Sequence, residues 1–283
     1  MAIPAVSQEL FPYSRWNSQI PQLRPQYRSA KPYPHIVLKN LLEDEVAQKA
    51  MNEFPKPTDT NWIQYKHFNE RKLGKSKREE FPPLLGRLVD EFNSKEFLRF
   101  LTDLTGIENL LADPMLDGGG MHQSGPGGFL NIHADFTTHH YQPWRRRINL
   151  ILYLNEGWLA EWNGNLEIWD KEMKNCVEKV VPVLNTAIIF NTDEHSHHGL
   201  PDKIKCPEGM TRKSLALYYY TQLEDSSYKP ISTNYQARPG DGWRAPFIWL
   251  DKKFVHGYSV LKTRLGLSDD FASKILGFFG GRK

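Results

Sequence analysis

The chain has 283 residues, 40% apolar and 24% charged, the balance of an ordinary globular protein near the upper size for one hydrophobic core. Its 36 basic and 33 acidic residues leave a net charge of +3, too small to argue for a nucleic-acid partner. No run reaches the roughly 20 apolar residues of a membrane span, the N-terminus lacks a secretory-signal pattern, and Cys176 and Cys206 sit far apart with no CxxC spacing.

A reduced, cytoplasmic setting with buried structural thiols is the corresponding expectation. Residues 1 to about 35 are rich in proline and polar residues, with Pro21, Pro25, Pro32 and Pro34 breaking any regular pattern. From Leu41, LLEDEVAQKAMNEF has helical texture and an acidic first turn. PPLLGRLVDEFNSKEFLRFLTDLTG predicts a second helical stretch from Pro82 to Gly106. After Leu111 the period changes: FLNIHA, RINLILYL, NLEIWD, CVEKVVPV, TAIIFN and SLALYYYT are short apolar runs split by turn residues.

Helices first and strands afterwards is an α+β order, and residues 113–222 hold enough strands for a jelly roll of about eight. The expected organisation is an N-terminal helical region over 1–112 packing on the core, a β core over 113–222, and a loop followed by a helical C-terminal extension over 223–283. That extension is basic, with Lys252, Lys253, Lys262, Arg264 and Lys274 among apolar residues. Such a helix packs on its own domain, pairs with a second copy in a homodimer, or lies on a membrane surface.

The central chemical feature is His133-Ala134-Asp135 at the end of FLNIHA. Residues two apart on a strand share a face, so this imidazole and carboxylate can converge on one ion. His195-Ser196-His197-His198, just after TAIIFN, supplies candidates for a third ligand. His197 and His198 face opposite ways on an extended chain, so at most one turns inward. Two histidines and one carboxylate leave three coordination positions open, the arrangement of non-haem iron(II) oxygenases. A structural zinc site would be closed and usually rich in cysteine.

Arg212-Lys213-Ser214 opens the run SLALYYYT, and Arg212 and Ser214 share a strand face. An arginine fork holds a carboxylate through two parallel hydrogen bonds, with the serine hydroxyl adding a third. Upstream, the glycine-rich GGGMHQSGPGG leads into a strand, whereas a phosphate cradle would lead into a helix. It reads as a mobile rim whose His122 and Gln123 are placed to touch substrate.

HADF, RINLILYLNEGW, NGNLEIWD, HHGLP and TRKSLALYYYT, in this order, resemble the prolyl-4-hydroxylase-type 2-oxoglutarate/iron(II) dioxygenases, chiefly bacterial members of unassigned substrate. The resemblance covers about 115–222. It implies a double-stranded β-helix fold, His133 and Asp135 as proximal ligands of Fe(II), His198 as the distal ligand, and Arg212 with Ser214 as the grip on 2-oxoglutarate. It also implies O2 as co-substrate and hydroxylation of an unactivated C–H bond of a small molecule or peptide, with release of succinate and CO2. Two departures stand out. Asn165 follows Gly164 where the family has paired glycines, and Phe129 and Leu130 stand where relatives place a tyrosine against the co-substrate. Asn149 and Tyr153, on one face of RINLILYL, are the substitutes for that tyrosine, or else packed strand residues. Two other classes stay open: a non-catalytic β-sandwich binding module, and a metal-dependent hydrolase.

Overall fold

The computed structural model describes residues 9–251 apart from Thr60 and Ser226. The elements in chain order are α1 (Tyr13–Ser29), β1 (His35–Lys39), α2 (Asp44–Glu53), β2 (Ile63–His67), β3 (Glu70–Lys75), α3 (Pro83–Phe92), α4 (Lys95–Thr105), β4 (Leu111–Ala112), β5 (Gly120–Ser124) and β6 (Phe129–Ala134). They continue with β7 (Trp144–Tyr153), β8 (Leu166–Trp169), β9 (Cys176–Val180), β10 (Thr186–Asn191), β11 (His198–Leu200), β12 (Arg212–Gln222) and β13 (Asn234–Tyr235).

The strands form one antiparallel sheet in the order β1-β10-β7-β12-β5-β3-β6-β11-β8-β9, rolled into a nearly closed jelly roll. This is the double-stranded β-helix. β2 lies along one edge of β3, and the other edge bonds to β6 through Glu70 and Arg71 and to β5 through residues 73–75, which closes the seam between the two walls.

Alternation along the central strands divides the interior in two. Ile148, Leu150 and Leu152 of β7, Ala187 and Ile189 of β10, and Leu215, Leu217 and Tyr219 of β12 pack against the helices in the main core. The intervening Asn149, Ile151, Ser214 and Ala216 face the barrel cavity. Period-two spacing thus makes one strand set serve a core and a cavity at once.

Several expectations change. Residues 13–29 are a 17-residue helix despite Pro21 and Pro25. Tyr13, Trp16 and Tyr27 are buried and Ile20 and Leu23 pack against the same core, a stripe at helical period. Both prolines are exposed, so the stripe outweighs the backbone bonds they remove. The single helix expected from Pro82 to Gly106 is two, α3 and α4. The Ser94 hydroxyl accepts from Phe97 N–H at 3.1 Å and starts a new helix. Gly106 ends α4 in the left-handed conformation, φ 78°.

The region before residue 113 is not purely helical, since β1 joins β10 and the β2–β3 hairpin completes the seam. GGGMHQSGPGG is no mobile rim: Gly120–Ser124 is an internal strand between β12 and β3. Beyond the jelly roll the chain turns back, and β13 pairs with β6 beside the metal-ligand motif. Residues 245–251 are helical. The expected role of the basic extension falls mostly on residues 252–283, outside the described residues. Among the described residues no helix is long and apolar enough to cross a membrane. Cys206 is buried, Cys176 half-buried, and both are free thiols.

Candidate metal centre

β6 carries His133 and ends at Ala134, so Asp135 lies just past the strand with its side chain on the same face. β11 runs antiparallel to β6 with His198 opposite His133. That pairing brings one ligand-type atom from each of His133, Asp135 and His198 within 4.8 Å of one another. His133 Nε2 lies 3.5 Å from Asp135 Oδ1, and His198 Nε2 lies 3.4 Å from Asp135 Oδ2. All three residues are buried.

The two imidazoles are oriented the same way. His133 Nδ1 meets the Asn131 carbonyl at 2.9 Å and His198 Nδ1 meets the Ser196 carbonyl at 2.8 Å. A carbonyl only accepts, so each Nδ1 carries the proton and each Nε2 keeps its lone pair toward the cluster. Burial pushes the His198 pKa down to about 4, which keeps it neutral. Burial alone would raise the Asp135 pKa, but Arg146, then His198 and His133, hold the carboxyl well below its ordinary range. Neutral imidazoles and an ionised carboxylate are the forms a divalent cation requires.

Arg146 is a residue that the sequence reading missed. Its Nη2 donates to Asp135 Oδ2 at 3.0 Å, and its guanidinium lies 3.4 Å from the Tyr218 ring centroid and 4.5 Å from that of Phe136. Simple alternation puts Arg146 on the helix side with Ile148. A β-bulge reverses this: Ile148 pairs with Tyr219 and Arg146 with Tyr220, leaving Arg147 without a partner in the ladder. The extra residue turns Arg146 onto the cavity side. The run of three arginines was visible in the sequence; the bulge was not.

Asn149 joins this clamp. Its Nδ2 donates to Asp135 Oδ2 at 2.7 Å while its Oδ1 accepts from Arg146 Nε and Thr192 Oγ1. Asn149 therefore supports Asp135 while also lining the cavity. With Oδ2 held twice, Oδ1 is the freer carboxylate oxygen.

The other histidines of the 195–198 cluster lie elsewhere. His195 is exposed. His197 is buried, and its Nδ1 approaches the Asp170 carbonyl at 3.4 Å. The Tyr235 ring of β13 lies 5.6 Å from that of His133, covering the metal-site edge.

The cavity beside the cluster encloses about 680 Å³, its open mouth included. Arg212 and Ser214 line it from β12, with Ile151, Leu166 and Leu200 supplying apolar wall. Arg212 is buried, its Nε donates to the Gly164 carbonyl at 2.7 Å, and its guanidinium lies 4.8 Å from the Tyr153 ring. It pairs with no carboxylate among the described residues. Gly164 has φ 74°, and a Cβ there would come within 3.1 Å of Arg212 Cδ. The first glycine of the departed pair is thus the one that seats the arginine. The buried Tyr153 hydroxyl lies on the same side with no hydrogen-bond partner of adequate geometry among the described residues.

His122 and Gln123 both border the cavity. They lie on opposite strand faces, and Gln123 is the more committed. Its amide donates to the Pro55 carbonyl and accepts from Thr211 Oγ1. Lys72 of β3 also lines the cavity, a residue missed because the charged β2–β3 hairpin gave no apolar run to read.

Residues 119–220 match the family model of the 2OG-Fe(II) oxygenase superfamily. No curated protein matches the sequence. Among solved structures, a prolyl-4-hydroxylase from Pseudomonas putida is 17% identical with a TM-score of 0.51, over 70% of this chain and 98% of that one. Prolyl 4-hydroxylases from Phytophthora capsici are represented by a structure at 18% identity and TM-score 0.51, covering 97% of this chain and 98% of the other. A Trichoplax adhaerens prolyl hydroxylase, solved with a hypoxia-inducible-factor peptide, is 15% identical with a TM-score of 0.50 over 76% and 96% of the two chains. These neighbours share the fold. The family match spans the jelly-roll strands from β5 to β12, which include His133, Asp135, His198 and Arg212.

Proposed function

We propose that the chain hydroxylates an unactivated C–H bond of a small molecule or peptide, with His133, Asp135 and His198 holding Fe(II) and Arg212 and Ser214 anchoring 2-oxoglutarate. The observation that carries this reading is the pairing of two unsatisfied features in one cavity. A buried cluster of two histidines and one aspartate lies at one place, and a buried guanidinium without a carboxylate partner lies at another. A buried charge without a counter-charge is costly, so Arg212 is suited to an anionic ligand. A metal-dependent hydrolase does not require that second feature, and succinate formation separates the two readings.

When bound, iron(II) with 2-oxoglutarate and O2 supplies the C–H oxidation, 2-oxoglutarate leaving as succinate and CO2. The chain's own residues do the rest. Arg146 and Asn149 hold Asp135 Oδ2, so Oδ1 is the oxygen that would ligate the iron. Arg212 presents its fork to the far carboxylate, Ser214 adds a hydroxyl donor from the same face, and the Tyr153 hydroxyl adds a third. Ile151, Leu166 and Leu200 exclude water from the space between.

The test is a mass-spectrometric screen of candidate substrates with Fe(II), 2-oxoglutarate and O2, seeking a gain of one oxygen in step with succinate. Succinate formed in the wild type and lost on changing His133 or His198 supports the reading. Absence of any 2-oxoglutarate turnover by iron-loaded wild type across the screen overturns it.

A further inference from the structure

A second cation faces the cavity at a place the co-substrate anchor does not use. Residues Glu70, Lys72 and Gly74 alternate along one face of β3. Gly74 lies opposite His122 in the register, and a Cβ there would come within 2.7 Å of Tyr65 Cε2 and 3.3 Å of His122 Cδ2. The missing side chain at Gly74 gives the His122 ring its place beside Lys72.

Among the described residues, Lys72 is the one lysine lining the cavity. Its Nζ lies 3.1 Å from Glu70 Oε2 and 5.0 Å from the Tyr65 ring centroid. Glu70 in turn accepts from His67 Nε2 at 2.8 Å, and His67 Nδ1 meets Asp251 Oδ2 at 2.8 Å. Charges therefore alternate through Lys72, Glu70, His67 and Asp251. Of the four only Lys72 lines the cavity, so the network presents its positive end there. Burial, then Lys72, push the His122 pKa down to about 3, so this imidazole adds a neutral donor or acceptor. It makes no hydrogen bond to the described residues.

The two cavity cations occupy different neighbourhoods. Arg212 sits with Gly164 and Tyr153, whereas Lys72 sits within electrostatic reach of Asp135 and Tyr218, and His122 feels both. One dicarboxylate occupies Arg212 and the metal, leaving Lys72 for a different anion.

We infer that Lys72 anchors an acidic group, a carboxylate or a phosphate, on a small primary substrate, with His122 adding a neutral hydrogen bond beside it. This rests on the reading of His133, Asp135 and His198 as the metal site. A surface lysine could not discriminate in this way; a partly desolvated one aimed at the reacting centre orients as well as attracts.

The experiment uses the full chain, loaded anaerobically with Fe(II) and 2-oxoglutarate, and calorimetric titration with methyl phosphate and with propionate. The visible charge-transfer absorbance of the iron–2-oxoglutarate complex is recorded first. Saturable binding of one or both anions is expected in the wild type, the preferred one identifying the substrate's acidic group. Lys72→Met should weaken it about tenfold or more, Lys72→Arg should largely retain it, and Glu70→Gln should tighten it, with 2-oxoglutarate affinity unchanged throughout. Wild type that binds neither anion, or Lys72→Met that binds both as well as wild type, overturns the inference. So does a Lys72→Met variant that loses 2-oxoglutarate instead, which would make Lys72 part of the co-substrate anchor. A wild type that never develops the absorbance fails earlier, and refutes the metal-site reading together with what rests on it.

Discussion

The two faces of β7 and β12 are both largely buried and differ in chemistry. Toward the helices stand Ile148, Leu150, Leu152, Leu215 and Leu217; toward the cavity stand Asn149, Ile151, Arg212, Ser214, Ala216 and Tyr218, with Tyr153 on the same face of β7 beside Arg212. On the first face burial is itself the stabilising term, at about 25 cal/mol per Å² of apolar surface. On the second face each polar group must find a partner or wait for one. Asp135, Arg146, Asn149 and Thr192 hydrogen-bond one another. Arg212 lacks a carboxylate and Tyr153 a hydrogen bond among the described residues, and these two lie where a ligand carboxylate is expected. The comparison teaches that the helix face holds the fold and the cavity face holds the chemistry, so changes on the two should separate stability from activity.

The strongest break in this separation should come from His133→Ala, which abolishes 2-oxoglutarate turnover while the thermal midpoint hardly moves. Succinate assay and calorimetry on the same preparation read both, and a collapsed midpoint would show that the cluster is a structural element. On the opposite face, Leu150→Ala should cost about 2–5 kcal/mol of stability in urea unfolding, with 2-oxoglutarate binding unaltered in the folded fraction. Lost binding at full stability would contradict the division.

Arg212→Ala should cost about 2–5 kcal/mol of co-substrate binding and so raise the 2-oxoglutarate requirement by an order of magnitude or more, iron affinity staying level. An unchanged requirement would transfer the anchor to another cation. Asn149→Ala is subtler: it removes a support of Asp135 and should lower iron affinity about 10–100-fold, read by metal titration. No change there would leave Arg146 as the sole clamp.

The smallest expected effect is a pH dependence away from the cavity. Burial lowers the His67 pKa, but its bonds to Asp251 and Glu70 outweigh this and raise it from 6.5 to about 9. A raised folded pKa means that the contribution is complete below pH 6.5 and is lost as pH rises through about 9. Urea midpoints of the wild type should therefore fall across that window more steeply than those of His67→Gln. Parallel curves would show that the Glu70–His67–Asp251 bridge contributes no net stability.

The sequence made some of this legible and hid the rest for identifiable reasons. The strand runs of the jelly roll, the αL stop at Gly106 and the helix at 44–53 all rest on local period or local turn chemistry. The break at Ser94 and the helix through Pro21 and Pro25 were misread because a cap and a buried aromatic stripe outweighed the stronger-looking signals. The β2–β3 hairpin escaped because its strands carry Lys66, Arg71, Lys72 and Lys75, with no apolar run to announce them.

What the sequence determined by itself is the set of side chains that share a strand face: His133 with Asp135, Arg212 with Ser214, Asn149 with Tyr153. Two-residue periodicity needs no knowledge of the rest of the fold. Tertiary structure alone decided what meets across strands. The β6–β11 pairing chose His198 over His197, a one-residue bulge in β7 delivered Arg146 to Asp135, and the closing of the seam by β3 brought Lys72 to the cavity. Register and bulges arise from packing among distant segments, and a shift of one residue reverses every side chain that follows it.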